Sequence, residues 1–161
     1  MQNNSPNWPN FSIVAAHRRR SNFSKGRILP VVNELGAIMK IGFIGLGNVG
    51  GKLAGSILRN GHDLTVRDLD RGLAQPFLDK GAQWADSPAQ MARACDYIIT
   101  CLPSPAACAE VMEGPGGLLE GLSEGKIWAE MSTTDAGEVR RMVELVIAKG
   151  AQAIDCPVSG G

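Results

Sequence analysis

The stretch Lys40–Gly50, which reads KIGFIGLGNVG, decides the fold of this 161-residue chain. Its first part, Lys40–Gly45, predicts a short buried strand because apolar residues dominate it. The glycines at its end have the spacing G-x-G-x-x-G, and a helix is predicted over residues 48–60, ending at Gly61. Strand, glycine turn and helix in this order are typical of a dinucleotide-binding turn.

Each glycine of the turn is predicted to have its own physical role. Gly45 permits the sharp turn, Gly47 leaves room for a pyrophosphate because it has no Cβ, and Gly50 lets the helix pack closely on the strand. The N–H groups and the dipole at the start of the helix favour phosphate groups. A glycine-rich turn without a ligand is the alternative. The residues of this segment that are predicted to bind a cofactor are Gly45, Leu46, Gly47, Asn48, Val49 and Gly50.

An acidic residue stands where a dinucleotide-binding turn needs one. Asp68 follows the second predicted strand, His62–Arg67, and lies 21 residues after Gly47. A carboxylate at this place can accept hydrogen bonds from the ribose hydroxyls of NAD, and it would repel the 2′-phosphate of NADP. NAD is therefore the predicted cofactor and NADP the less favoured one, although the nearby cations Arg67 and Arg71 could soften this preference. A surface aspartate in a loop is the alternative.

Strands and helices alternate along residues 39–161, and this alternation predicts an α/β fold with a Rossmann-type, doubly wound, mostly parallel sheet. Six strands are predicted, and five of them have ranges: 40–45, 62–67, 97–101, 126–131 and 151–155. Helices are predicted over 48–60, 70–80, 88–94, 106–112 and from Thr134 or Asp135 to 149, with one further turn around 118–122. Pro76 should kink or shorten the second helix. The residues predicted on the inner stripes of the first and last helices are Val49, Leu53, Ile57 and Leu58, and Val139, Met142, Val143, Val146 and Ile147.

Residues 1–38 differ in composition from residues 39–161. They carry five basic residues and one acidic residue and are predicted to be a disordered, basic leader in front of the dinucleotide-binding domain. Arginine and serine are typical of a mitochondrial transit peptide, which would place the protein in the matrix, but the prolines disfavour an amphipathic helix. The favoured alternative is an over-extended start, with Met39 as the first native residue and a cytoplasmic location.

The composition argues against several other classes of protein. The formal net charge is 0, whereas a protein dedicated to nucleic acid usually has a basic excess. The apolar runs are too short for a transmembrane helix. The four cysteines form no C-x-x-C pair, so no metal site is predicted and a reducing compartment is expected.

Four motifs in sequence order resemble those of the 3-hydroxyisobutyrate dehydrogenase-like β-hydroxyacid dehydrogenases. Residues 43–54, FIGLGNVGGKLA, are similar to the cofactor signature of this family. Leu102 and Pro103 resemble a dipeptide that borders the cofactor, and Ser132-Thr133 resembles a pair in which Thr133 would reach the nicotinamide side. A plain turn after the strand is the alternative for Leu102 and Pro103, and a helix cap is the alternative for Thr133.

The fourth motif, Asp155–Gly161, reads DCPVSGG and resembles the family's substrate segment D-x-P-V-S-G-G. The hydroxyl of Ser159 and the N–H groups of Gly160 and Gly161 form a compact set of donors, which suits a carboxylate. The resemblance implies that this segment binds the carboxylate of the substrate. A turn without a ligand is the alternative.

The resemblance implies an oxidoreductase that interconverts a 3-hydroxy acid, such as 3-hydroxyisobutyrate, and its semialdehyde by hydride transfer. A related reductase of tartronate or succinic semialdehyde is a possibility within the same family, and a non-catalytic dinucleotide-binding module is the alternative outside it. The family's acid–base lysine matches no residue of this sequence and would follow Gly161. The chain is therefore expected to be an N-terminal part that lacks the helical domain and has negligible activity alone, and the full-length protein is expected to be a homo-oligomer.

Overall fold

The computed structural model describes residues 38–158. Six parallel strands form one sheet in the order β3-β2-β1-β4-β5-β6. Their ranges are β1 (Lys40–Ile44), β2 (Asp63–Arg67), β3 (Gln83–Trp84), β4 (Tyr97–Thr100), β5 (Ile127–Glu130) and β6 (Gln152–Asp155). The predicted α/β fold with a doubly wound parallel sheet is confirmed. The strand without a predicted range is β3, whose two residues are too few to show a periodic pattern.

Five α-helices connect these strands: α1 (Gly50–Arg59), α2 (Gln75–Leu78), α3 (Pro88–Ala94), α4 (Pro105–Glu113) and α5 (Ala136–Ala148). The first helix begins two residues later than predicted, because Gly47–Val49 remain in the turn that precedes it. The segment predicted as one helix over 70–80 is divided. It contains a 3₁₀ turn, Arg71–Ala74, and then α2, in whose first turn Pro76 lies. This position suits proline, because the first turn of a helix needs no N–H donor there.

Side-chain oxygens cap the helices that the sequence places after polar residues. Ser87 accepts a hydrogen bond from the N–H of Gln90 at the start of α3, as the Ser-Pro pair predicts. Asp135 accepts from two N–H groups at the start of α5, so Asp135 is the cap and Thr134 is not. The hydroxyl oxygen of Thr134 is buried and finds no hydrogen-bond partner among the described residues. A 3₁₀ turn, Leu118–Glu120, is the single helical turn predicted in the loop 113–125.

Two apolar clusters cover the two faces of the sheet. Phe43 and Ile99 pack on the face under α1 and α2, and Ile98 and Trp128 pack on the face under α3, α4 and α5. All four side chains are buried, which explains why the strands read as continuous apolar runs.

The inner stripes predicted for the first and last helices include residues that the structure leaves exposed. On α5, Val139, Met142 and Val146 are buried and Ile147 is 60% exposed, and Val49 before α1 is 44% exposed because it faces the cleft described below.

Candidate functional site

A cleft of about 670 Å³ opens at the carboxyl edge of the sheet, where the strand order reverses between β1 and β4. Ligands of open α/β sheets bind at such a switch point, because the loops diverge there to the two sides. The cleft is lined by most of the predicted cofactor-binding residues: Gly45, Gly47, Asn48, Val49, Gly50, Asp68, Leu102, Pro103 and Thr133. The predicted substrate residues Ser159, Gly160 and Gly161 lie outside the described residues.

The glycine turn is shaped by close backbone contacts at two of its three glycines. A Cβ on Gly45 would lie 2.2 Å from the carbonyl oxygen of Cys101, and the φ angle of Gly45 is 98°. A Cβ on Gly50 would lie 1.8 Å from the carbonyl oxygen of Gly45. Gly47 differs, since no atom lies within 4 Å of its Cβ position and the residue is exposed to the cleft. Gly45 and Gly50 are therefore needed for packing, whereas Gly47 keeps open space.

The turn also presents unused hydrogen-bond donors. None of the hydrogen bonds found within residues 38–158 uses the N–H groups of Gly47, Asn48 or Val49. These three groups precede α1, so the positive end of the helix dipole reinforces them. Backbone donors, positive dipole and an empty Cβ position fit the pyrophosphate of a dinucleotide.

Leu46 has a different role from the one predicted for it. Its side chain is buried, with 4% exposed, and does not line the cleft. Its N–H donates a hydrogen bond of 2.6 Å to Oδ2 of Asp68. Leu46 therefore joins the glycine turn to the end of β2 and supports the cleft from below. Sequence reasoning missed this link because the two residues are 22 positions apart and no local pattern relates them.

Asp68 is fixed in place by backbone donors on both of its carboxylate oxygens. Besides the bond from Leu46, its Oδ1 accepts from the N–H of Asp70 at 3.0 Å. Asp70 in turn caps the following 3₁₀ turn by accepting from Gly72. A carboxylate oxygen can accept more than one hydrogen bond, so these contacts leave capacity for ribose hydroxyls.

The two arginines beside Asp68 are held by an aromatic side chain. The guanidinium groups of Arg67 and Arg71 lie 5.7 Å and 5.1 Å from the centre of the Trp84 ring. Arg67 also donates to the carbonyl oxygen of Ala85 at 3.0 Å, and it lines the cleft. Trp84 was missed by sequence reasoning, because it belongs to β3 and its neighbours become apparent only when β3 pairs with β2.

Apolar side chains line the outer part of the cleft near Asp68. Leu69 is 99% exposed and Leu73 is 42% exposed, and both line the cleft together with Val49. These exposed leucines beside Asp68 form an apolar surface on which a planar base could pack. Sequence reasoning did not identify Leu69 as a residue of the cleft, although Leu69 directly follows Asp68.

The other half of the cleft is formed by the loops that follow β4 and β5. The hydroxyl oxygen of Ser132 accepts a hydrogen bond of 2.7 Å from the N–H of Leu102, so the two loops are joined. Thr133 donates from its hydroxyl to the carbonyl oxygen of Val158 at 3.1 Å. Thr133 does not cap α5, since Asp135 has that role. Its hydroxyl therefore ties the loop after β5 to the segment after β6.

The cysteines at this edge are not activated as nucleophiles. Burial, and then the charge of Glu130, raises the pKa of the Cys101 thiol, which lines the cleft. Burial likewise raises the pKa of Cys108 to about 11. Thiols with raised pKa values stay protonated and react slowly. No cluster of three metal-ligating side chains occurs within residues 38–158, and no helix in that part of the chain is long and apolar enough to cross a membrane.

The sequence of this chain matches a known family of dinucleotide-binding domains. Residues 40–161 match the family described as the NAD binding domain of 6-phosphogluconate dehydrogenase. The chain belongs to this family. It is therefore an NAD(P)-binding domain of the dehydrogenase type, and the predicted resemblance to 3-hydroxyisobutyrate dehydrogenase-like enzymes is confirmed.

Relatives with different names share this domain. The probable mitochondrial 3-hydroxyisobutyrate dehydrogenase of Dictyostelium discoideum is 36% identical over 75% of this chain and 38% of the relative. The cytokine-like nuclear factor N-PAC of Homo sapiens is 34% identical over 75% of this chain and 22% of the relative. The solved structure of Psf3 in complex with NADP⁺ and 2-OPP is 30% identical, with a TM-score of 0.71, over 75% of this chain and 43% of that chain. The chain thus spans less than half of the length of these proteins.

Proposed function

We propose that this chain is the NAD-binding part of an oxidoreductase that interconverts a 3-hydroxy acid, similar to 3-hydroxyisobutyrate, and its semialdehyde. The observation that carries the proposal is the cleft, which places free N–H donors and Asp68 on one side of the switch point and Pro103 and Thr133 on the other. A dinucleotide spans such a cleft with one nucleotide on each side. Family membership and the relative named as a 3-hydroxyisobutyrate dehydrogenase support the class of substrate.

In this proposal each part of the cleft binds one part of the cofactor. The N–H groups of Gly47, Asn48 and Val49 hold the pyrophosphate, and Asp68 accepts from the adenosine ribose. Leu102, Pro103 and Thr133 border the nicotinamide. When bound, the nicotinamide supplies the hydride acceptor. The segment Ser159–Gly161 would bind the substrate carboxylate, as the resemblance to the family's substrate segment implies.

The choice of cofactor can be tested at Asp68. We propose that the chain binds NAD at least tenfold more tightly than NADP, because the carboxylate of Asp68 repels a 2′-phosphate. Two like charges about 4 Å apart near a protein surface repel each other with about 4 kcal/mol. Asp68→Asn removes the charge and keeps an oxygen that can accept from the N–H of Leu46. We expect this variant to lose most of the preference, as measured by calorimetric titration of both cofactors.

The control for Asp68→Asn is Asp79→Asn, which removes one negative charge from an exposed position after α2 and outside the cleft. We expect it to keep the preference for NAD. Tighter binding of NADP than of NAD by the unchanged chain would overturn the role proposed for Asp68. Binding of neither cofactor would overturn the proposed function as a whole.

The catalytic capacity of the chain can be tested separately. No lysine lines the cleft within residues 38–158, and the family's acid–base lysine matches no residue of this sequence. We expect the purified 161-residue chain to bind NAD but to show no turnover of 3-hydroxyisobutyrate above the blank, followed as NADH absorbance. Robust turnover would show that all essential groups are present in this chain.

A non-catalytic dinucleotide-binding module is the second candidate function. The observation that favours it is a relative with this domain whose name, cytokine-like nuclear factor N-PAC, states no oxidoreductase activity. The reading frame after the codon for Gly161 distinguishes the two. An open frame that encodes a helix with the pattern G-x-x-x-K-x-x-x-N supports the enzyme, and a stop codon supports the module.

Under the first proposal, the full-length protein is a cytoplasmic homo-oligomer with a hydroxy-acid substrate and no nucleic-acid partner.

A further inference from the structure

Glu130 is a buried carboxylate to which the proposed function gives no role. It is the last residue of β5, only 1% of it is exposed, and it does not line the cleft. Removing a carboxylate from water costs much free energy unless hydrogen bonds replace the lost hydration. Its partners therefore indicate what the side chain does.

Both oxygens of Glu130 accept hydrogen bonds from the edge of the sheet that faces the cleft. Oε1 accepts from the N–H of Ser132 at 2.6 Å, at the start of the loop after β5. Oε2 accepts from the hydroxyl of Thr100 at 2.8 Å, at the end of β4, and that hydroxyl accepts from the indole N–H of Trp128 at 2.9 Å. All of these side chains are buried, so water does not compete for the bonds.

Ser132 extends this network into the loop after β4. Its hydroxyl oxygen accepts from the N–H of Leu102 at 2.7 Å and from the thiol of Cys108 on α4 at 3.6 Å. Glu130 thus fixes the backbone of Ser132, and Ser132 fixes the backbone of Leu102. We define the set Thr100, Trp128, Glu130 and Ser132 as the buried clamp.

The buried clamp lies beside one half of the cleft, and of its four members only Ser132 lines the cleft. Thr133 follows Ser132 directly, Leu102 and Pro103 stand two and three residues after Thr100, and all three line the cleft on the side of β4 and β5. Asp68 marks the opposite side, after β2. In a doubly wound sheet, each half binds one mononucleotide. With the adenosine ribose at Asp68, the half beside the clamp receives the nicotinamide mononucleotide.

We propose that Glu130 is a positioning residue for the nicotinamide half of the cofactor. It holds the two loops in the arrangement that binds the nicotinamide ring, and it does not touch the cofactor itself. This inference rests on the proposed function in one respect, namely that the cleft binds a nicotinamide dinucleotide.

The test compares NAD with ADP-ribose, which has the adenosine, the pyrophosphate and the second ribose but lacks the nicotinamide. In Glu130→Gln the amide oxygen can still accept from the N–H of Ser132, but the NH₂ group then faces Thr100, whose hydroxyl proton loses its acceptor. We expect the affinity of the 161-residue chain for NAD to fall about tenfold, because binding must then order the two loops, and its affinity for ADP-ribose to fall less than about twofold. Calorimetric titration measures both.

Two further variants make the test specific. Glu144→Gln removes a charge from an exposed position on α5 and should leave both affinities unchanged. Ser132→Ala keeps Glu130 and its bond to the backbone N–H, and removes the acceptor of the Leu102 N–H and of the Cys108 thiol. We expect Ser132→Ala to show the same selective loss for NAD, so it decides the question if Glu130→Gln does not fold.

The outcomes separate the two proposals. A loss confined to NAD supports the positioning role. Equal losses for NAD and ADP-ribose would show that the clamp acts only through the stability of the fold, and unchanged NAD affinity in folded Glu130→Gln and Ser132→Ala would show that it has no role in binding. Either result overturns the inference and leaves the proposed function standing. If the unchanged chain binds neither ligand, the proposed function fails, and the inference fails with it.

Discussion

Gly47→Ala is expected to weaken dinucleotide binding by roughly 5- to 150-fold while the chain keeps its fold and its stability. No atom lies within 4 Å of the Cβ position, and the backbone of Gly47 is outside the left-handed region, so the methyl group meets no obstacle in the protein. Gly47 lines the cleft beside Asn48 and Val49, so the methyl group is added at the surface where we place the pyrophosphate. Crowding of this kind costs about 1–3 kcal/mol, which corresponds to a loss of roughly 5- to 150-fold.

Two measurements on the same preparation check this expectation. Calorimetric titration with NAD gives the affinity, and thermal unfolding without ligand gives the stability. The matched control is Gly61→Ala, since Gly61 also has no atom within 4 Å of its Cβ position but lies at the end of α1 that is remote from the turn. We expect the control to bind NAD normally. Normal binding by Gly47→Ala would show that the pyrophosphate does not lie against this residue.

The glycine turn could be predicted from sequence because the spacing of its glycines is local, although Gly45 also packs against the carbonyl oxygen of the distant Cys101. Gly45, Gly47 and Gly50 are separated by a few residues, and the contact between Gly50 and the carbonyl of Gly45 occurs within the turn itself. Capping by Ser87 is local in the same way, because the hydroxyl reaches an N–H three residues later. Short-range geometry of this kind leaves a fixed spacing in the sequence.

Much of the support beneath the cleft could not be predicted, because it joins residues that are far apart in the chain. The bond from Leu46 to Asp68 spans 22 residues, and those from Thr100 to Glu130 and from Leu102 to Ser132 each span 30. Such contacts arise only when parallel strands align their carboxyl ends. Nothing in the periodicity of β5 indicates that Glu130 is buried, since a glutamate at the end of a strand normally predicts an exposed residue.

Helix periodicity gave the inner face of α5 but not its limits. Val139, Met142 and Val146 repeat at helical spacing and are buried, whereas Ile147 continues the apolar pattern and remains exposed. The width of the buried stripe depends on how the helix sits on the sheet, and β6 is an edge strand with Ile154 also exposed. Whether a helix packs near the edge of a sheet depends on the topology, so the apolar pattern of α5 alone does not predict which of its residues are buried.

Gly50→Ala is expected to lower the free energy of unfolding by about 3 kcal/mol, the upper range for overpacking a dense interior. The new Cβ would lie 1.8 Å from the carbonyl oxygen of Gly45 and 3.2 Å from the ring of Phe43, which is fully buried. The carbonyl is backbone and cannot rotate away, so α1 must move off β1. For a chain of this length the melting temperature should fall by roughly 6–12 °C. Thermal unfolding without ligand measures the shift.

The control variants separate crowding from backbone strain in this prediction. Gly61→Ala meets no atom within 4 Å but has a φ angle of 78°, so it should cost only the left-handed conformation, about 1–2 kcal/mol. Gly47→Ala carries neither penalty and should unfold like the unchanged chain. The expected order of stability is therefore Gly47→Ala, then Gly61→Ala, then Gly50→Ala. If Gly50→Ala were as stable as Gly47→Ala, the close packing of α1 on β1 would be wrong, and so would the donor geometry on which the cofactor site depends.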